Sequence, residues 1–111
     1  IDSNGFERLI ASFLESIGVK DIHIRHAASD KGADIVGTFN ILNKFKFVLA
    51  VQAKQYRPDP PVDKGAIDQL INGMQAESAN LGWVVTSGKY SEDAKRYADD
   101  MRANGYTLEL I

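Results

Sequence analysis

Apolar residues recur at spacings of three and four near the start of the chain: Phe6, Leu9, Ile10, Phe13, Leu14 and Ile17. That period predicts an amphipathic helix over 3–17 with one apolar stripe. Asp2, Ser3 or Asn4 can cap its start, and Gly18 suits its end. Over 19–28 the period falls to two. Ile22, Ile24 and His26 share one face and His23 and Arg25 the other, which predicts a half-exposed strand. Ser29 to Gly32 forms a turn, and residues 33–39 a second strand. Asn40 to Lys44 reverse the chain into a third strand over 45–54. Phe45, Phe47, Leu49 and Val51 line one face of that strand, with Val48 and Ala50 on the other before Gln52 and Lys54. A strand apolar on both faces is covered on both sides, so this one is central.

The Arg57-Pro58-Asp59-Pro60-Pro61 segment stays extended, because each proline disfavours a helical residue before it. Asp63 caps a helix reaching about Ser78, with Ala66, Ile67, Leu70, Ile71 and Met74 inward. Leu81 to Thr86 reads as a short buried strand with Trp83 in the core. Ser91 opens a helix that Gly105 ends after Asn104, and residues 106–111 make a last strand. The order is α-β-β-β-α-β-α-β. Hairpin-linked strands followed by strands separated by helices predict an α/β fold, a mixed central sheet with helices on both faces.

At 111 residues the chain is one domain spanning 1–111. It starts at Ile1 rather than Met, so a piece of a longer protein is expected. No apolar run approaches membrane-spanning length, and no basic region precedes an apolar core at the N-terminus. The absence of cysteine excludes a disulfide scaffold and a thiolate metal site, and it fits a reducing, cytoplasmic setting. A net charge of −2 argues against tight autonomous binding to nucleic acid. It does not argue against a cleavage domain, which needs acids for a metal and can borrow affinity from a partner module.

The chemistry concentrates in Gly32-Ala33-Asp34-Ile35-Val36 and in Gln52-Ala53-Lys54, which follows 18 residues after Asp34. Gln52 and Lys54 are two apart on a strand and share a face. If Asn40 pairs with Lys46, Asp34 lies opposite Gln52; a shift of two places it opposite Ala50. Either even register keeps the three side chains on one face, and a slip by one separates them. An acid, neutral oxygens and a lysine are the parts of metal-assisted phosphodiester hydrolysis. Asp34 offers a carboxylate, Gln52 an amide oxygen and Ala53 its backbone carbonyl. Lys54 can polarise the attacking water. Glu7 is positioned to reach in from the first helix, and equally to act only as an acid near a helix N-terminus. Taken singly, each of these residues has an ordinary structural role. Lys31 and Arg57 flank the two motifs and are candidate phosphate contacts, or simply solvated charges. His23 and His26 face opposite sides of a strand and do not make a compact metal pair.

These motifs, with Ile67-Asp68-Gln69-Leu70 and Trp83-Val84-Val85-Thr86-Ser87-Gly88-Lys89-Tyr90-Ser91, resemble the Mrr-like catalytic domain of the restriction-endonuclease-like PD-(D/E)xK nuclease superfamily. The resemblance runs from about Phe6 to Ile111. It implies a restriction-endonuclease-like core and a Mg²⁺-dependent DNA endonuclease, with Mn²⁺ as a substitute cation. Carried over by position, Asp34 is the metal-binding acid, Gln52 takes the acid-or-glutamine position, Lys54 is the catalytic lysine and Glu7 the first-helix acid. Gln69 approaches from its helix, and Thr86 and Ser87 are candidate contacts to backbone phosphate. The expected partners are DNA, a separate DNA-recognition domain and, as one assembly, a second copy of the chain. Within the same fold, a junction resolvase or repair nuclease is the nearest alternative, although the acidic balance disfavours a broad basic face. A catalytically inactive interaction module is the other, against which the intact Asp34, Gln52 and Lys54 set argues. A Rossmann-like nucleotide-binding or signalling domain is the third reading, disfavoured because no Gly-x-Gly-x-x-Gly or phosphate-binding lysine loop is present and hairpin-linked strands at the start do not suit it.

Overall fold

The computed structural model describes residues 2–25, 33–55 and 61–111. Its elements are α1 (Ser3–Ser16), β1 (Lys20–Ile24), β2 (Ile35–Ile41), β3 (Phe45–Lys54), α2 (Lys64–Glu77), β4 (Leu81–Thr86), α3 (Glu92–Ala103) and β5 (Leu108–Leu110). The strands form one sheet in the order β1-β2-β3-β4-β5. The first three pair antiparallel, and β3, β4 and β5 pair parallel. Helices α2 and α3 are the crossovers between the parallel strands. Two crossovers of one hand advancing in one direction fall on the same face, which leaves the other face for α1.

Local chemistry sets the ends of the helices. The Asp2 carboxylate accepts from Gly5 N at 2.7 Å, Asp63 from Gly65 N at 2.9 Å, and the Ser91 hydroxyl from Ala94 N at 3.0 Å. Each satisfies one of the N–H groups that a helix start leaves unbonded. Glu92 and Asp93 in the first turn of α3 and Arg102 in its last complement the helix dipole. The β2–β3 reversal takes three residues, Leu42, Asn43 and Lys44, between the paired Ile41 and Phe45, and Leu42 and Asn43 have φ of 57° and 54°. Lys44 N donates to Ile41 O at 3.0 Å across it. Two consecutive left-handed residues match the twist of the flanking strands. The turn is therefore tighter than the five residues expected, and β2 runs to Ile41 and begins only at Ile35. Strand β1 is shorter than its alternating pattern, with a break in register between Lys20 and His23 where Asp21 takes φ 53°.

One core lies between the sheet and helices α2 and α3. It contains Val36, Ala50 and Val84 with Ala66, Ile67, Leu70, Ile71 and Met74, the inward set expected for α2. The second lies between the sheet and α1, where Phe6, Ile10 and Leu14 meet Ile35, Leu49 and Val51. Trp83 packs half-buried against this second core. The apolar stripe of α1 is wider than the face it buries. Leu14 is 0% exposed, but Leu9, Phe13 and Ile17 are 60%, 55% and 54% exposed. Only the sheet covers α1, so one row of the stripe is buried and the adjacent row faces outward. No helix among the described residues is long and apolar enough to cross a membrane.

The two rows of α1 should respond differently to truncation. Leu14→Ala is expected to cost about 2–5 kcal/mol of unfolding free energy. Leu9→Ala should stay within about 0.5 kcal/mol of the parent. Urea denaturation followed by circular dichroism checks both.

Candidate active site

The β2–β3 ladder pairs Ile35 with Val51 and Asn40 with Lys46. Continued by one residue, this register sets Asp34 opposite Gln52. Directly opposed residues share a face, with Cβ atoms about 5 Å apart. Asp34 sits just before β2 begins, so its side chain takes the place a ladder bond would occupy. Asp34 Oδ2 accepts from Ala53 N at 2.7 Å. A strand residue's N–H and C=O lie on the same edge, so the Ala53 carbonyl also faces Asp34. The backbone of Asp34 is held in turn, its carbonyl accepting from Arg25 N at 2.6 Å. Behind it, Gly73 of α2 packs against Ala33: a Cβ built on Gly73 would lie 2.6 Å from Ala33 N. The Arg25 guanidinium meets the Glu77 carboxylate at 3.1 Å and ties the β1 end to α2. Neither Gly73 nor this ion pair belonged to the expected site. The sequence signal for such a close approach is a glycine inside an amphipathic helix.

Burial raises the pKa of Asp34 above its ordinary value of 3.8, opposed in part by the Ala53 N–H bond and the nearby charge of Lys54. Gln52 and Lys54 lie on the α2 face of β3, in step with Ala50. Gln52 is only 6% exposed. Its Nε2 donates to Gln69 Oε1 of α2 at 3.3 Å. Its Oε1 is buried and has no hydrogen-bond partner among the described residues. A neutral oxygen left unsatisfied in this way costs about 1–3 kcal/mol.

Lys54 opens onto a cleft of about 360 Å³ between the end of β3, the start of α2 and the loop after β4. Gln69, Thr86, Gly88 and Lys89 also line it. Val62 N donates to Lys89 O and Ser91 N to Val62 O, both at 2.9 Å, which braces the two flanking segments together. Lys54 is paired in register with Thr86, whose hydroxyl accepts from Gly88 N at 3.0 Å. Ser87 is exposed on the adjoining loop. Below it, Tyr90 donates to the carbonyls of Val84 and Ile111, and burial pushes its pKa up to about 12.

The structure thus brings Asp34, Gln52, Ala53, Lys54 and Gln69 together, with Thr86 close by. Glu7 is buried at 7% exposure in the α1 layer. The short link from α1 to β1 puts Glu7 at the same end of the sheet as Asp34, approaching from the opposite face to Gln52 and Lys54. Lys31, Arg57 and His26 lie outside the described residues. Among the described residues, no three His, Cys, Asp or Glu side chains gather as a metal-binding group. The donors present are one carboxylate, one amide oxygen and one carbonyl. That all-oxygen set fits a hard divalent ion such as Mg²⁺, which commonly takes one or two carboxylates with waters and phosphate oxygens.

The restriction endonuclease family model Mrr_cat matches residues 1–111. Three solved structures share the fold. AspBHI, a DNA modification-dependent restriction endonuclease, superposes with a TM-score of 0.75 at 20% identity over 96% of this chain and 27% of that one. The MspJI restriction endonuclease, in complex with a 27-mer oligonucleotide, gives 0.62 at 21% identity, over 95% of this chain and 24% of that one. AF1548, a protein of unknown function, gives 0.64 at 16% identity, over 94% of this chain and 55% of that one. The chain therefore spans about a quarter of the length of AspBHI and MspJI. No curated protein matches.

Two predictions follow from how Asp34 is held. A raised folded-state pKa means that the stability this group contributes is full below 3.8 and lost as pH rises through the folded value. At neutral pH the carboxylate is a net cost. Asp34→Asn keeps an acceptor for Ala53 N, so in EDTA at pH 7 it should melt above the parent, with the gap closing as pH falls toward 3. Gly73→Val should press on Ala33, lower stability by about 1–3 kcal/mol and weaken divalent-ion binding, as read by thermal melting with and without Mg²⁺.

Proposed function

The chain belongs to the restriction endonuclease catalytic-domain family, and from that premise we propose that it hydrolyses DNA phosphodiester bonds with the help of a divalent cation. Mg²⁺, with Mn²⁺ as a substitute, suits the donors best, and Asp34, Gln52 Oε1 and the Ala53 carbonyl would hold it. When bound, such an ion neutralises a non-bridging phosphate oxygen and favours the ionisation of water. The observation that carries this reading is Gln52 Oε1, buried and without a hydrogen-bond partner among the described residues, across the strands from a desolvated carboxylate. Both groups cost stability as they stand, and a cation between them would offset both costs.

The chain's own residues supply the remaining functions. Lys54, two positions beyond Gln52 on the same face, brings a fixed positive charge to the mouth of the cleft. There it can orient a water and favour the negative charge that builds up on the phosphate. Ala53 N–H holds the Asp34 carboxylate in one orientation, so no reorganisation is needed when phosphate arrives. Thr86 and Lys89 on the facing wall, with Ser87 beside them, suit contacts to the DNA backbone. Glu7 is placed to act on the same end of the sheet from behind.

A domain of net charge −2 has little sequence-independent attraction for DNA. We therefore assign target recognition to a separate domain of a longer protein, in keeping with the quarter of AspBHI and MspJI that this chain spans. One such site per chain cuts one strand, so cleavage of both strands calls for two copies.

Plasmid nicking by the intact protein tests the assignment. Supercoiled DNA should be nicked with Mg²⁺ and not with EDTA, and Lys54→Ala should slow nicking at least about 100-fold. DNA binding without nicking by the parent would make this an interaction module. Equal nicking by the variant would place the chemistry elsewhere.

A further inference from the structure

A glutamine ligand has a difficulty that a glutamate does not. Its two ends are alike in size but opposite in character: the oxygen attracts a cation and the NH₂ repels one. Gln52 is buried and therefore limited to the partners around it. Its Nε2 donates to Gln69 Oε1 at 3.3 Å, while its Oε1 is left without a hydrogen bond among the described residues. Gln69 stands on α2 between Ile67 and Leu70, both fully buried, so its backbone is anchored to the core. Its own side chain lines the cleft that holds Lys54 and Lys89.

We infer that Gln69 is a positioning residue: its amide oxygen captures the Gln52 NH₂, so that Gln52 presents oxygen rather than nitrogen to the cation site. This rests on the cation site proposed above. The amide pair has two arrangements. In one, Gln52 donates to Gln69, and Gln52 Oε1 remains for a cation. In the other, both amides flip: Gln69 donates to Gln52 Oε1, and an NH₂ group faces the cation site. A bound cation selects the first arrangement. In that arrangement the Gln69 oxygen is committed to Gln52, so its own NH₂ is turned to the cleft, where it can donate to a phosphate oxygen. Cation occupancy and the presentation of a phosphate donor are thereby linked through two side chains. A glutamate at position 52 would have oxygen at both ends and would need no such lock.

The test is a double-mutant cycle read by calorimetric titration of the intact protein with Mg²⁺, with melting curves confirming the fold. Gln69→Leu should weaken Mg²⁺ affinity by about 10–100-fold, the usual effect of losing a partner that orients a ligand. In a Gln52→Glu background the same change should alter affinity by less than about twofold. Gln69→Ala, at this exposed helix position, gives the same comparison if the leucine variant does not fold. An equal loss in both backgrounds would reduce Gln69 to general support, and no loss in either would remove it from the site. Both results overturn the lock while leaving the cation site standing. No Mg²⁺ binding by the parent would overturn the cation site and the lock together.

Discussion

The hydrogen bond from Ala53 N to the Asp34 carboxylate is the contact on which the rest of the site depends. It forms because β2 starts one residue after Asp34, while β3 continues to Lys54. The carboxylate thus replaces a ladder partner that β2 no longer supplies. A bond of this kind needs an even register between β2 and β3, and the three-residue turn over 42–44, closed by the Ile41–Phe45 pair, secures that register at the far end of the hairpin. The turn and the site are at opposite ends of the same hairpin, yet the turn decides which face Asp34 occupies.

The site is assembled at some expense to the fold. Asp34 is desolvated enough to raise its pKa, and Gln52 carries a buried oxygen with no described partner. Such groups persist where function retains them, and the surrounding packing must compensate. Here the compensation is visible in β3, which is covered on both faces. Leu49 and Val51 pack toward α1, and Ala50 packs toward α2. A strand so firmly held can present two polar residues at its end without fraying.

Helix α2 serves both the core and the candidate site. Its buried row fills the space over the sheet, and Gly73 lets it approach the backbone next to Asp34. Its next face contributes Gln69 to Gln52, and its capped start forms one wall of the cleft. The same rigid body therefore packs behind Asp34, meets Gln52 from the side and shapes the route to Lys54. A displacement of α2 would be felt at all three.

Much of this was legible from the chain alone. Periods of 3.6 and 2, the capping residues Asp2, Asp63 and Ser91, and the doubly apolar Phe45–Lys54 segment specify the elements and their order, because such signals depend only on neighbours a few residues away. Asp34, Gln52 and Lys54 were identifiable as a group because strand alternation puts the last two on one face and a hairpin brings the first across from them. What the sequence left open is what depends on distance through space. It did not show that only one row of α1 would be buried, because one helix on one sheet has only one contact face. It allowed two even registers, and the three-residue turn over 42–44, between the paired Ile41 and Phe45, selects between them. It did not place Glu7 on the opposite layer from Gln52, nor Gly73 against Ala33, nor Gln69 against Gln52. These contacts join residues far apart in the chain, and their existence depends on how helices settle against a twisted sheet, which no local pattern encodes.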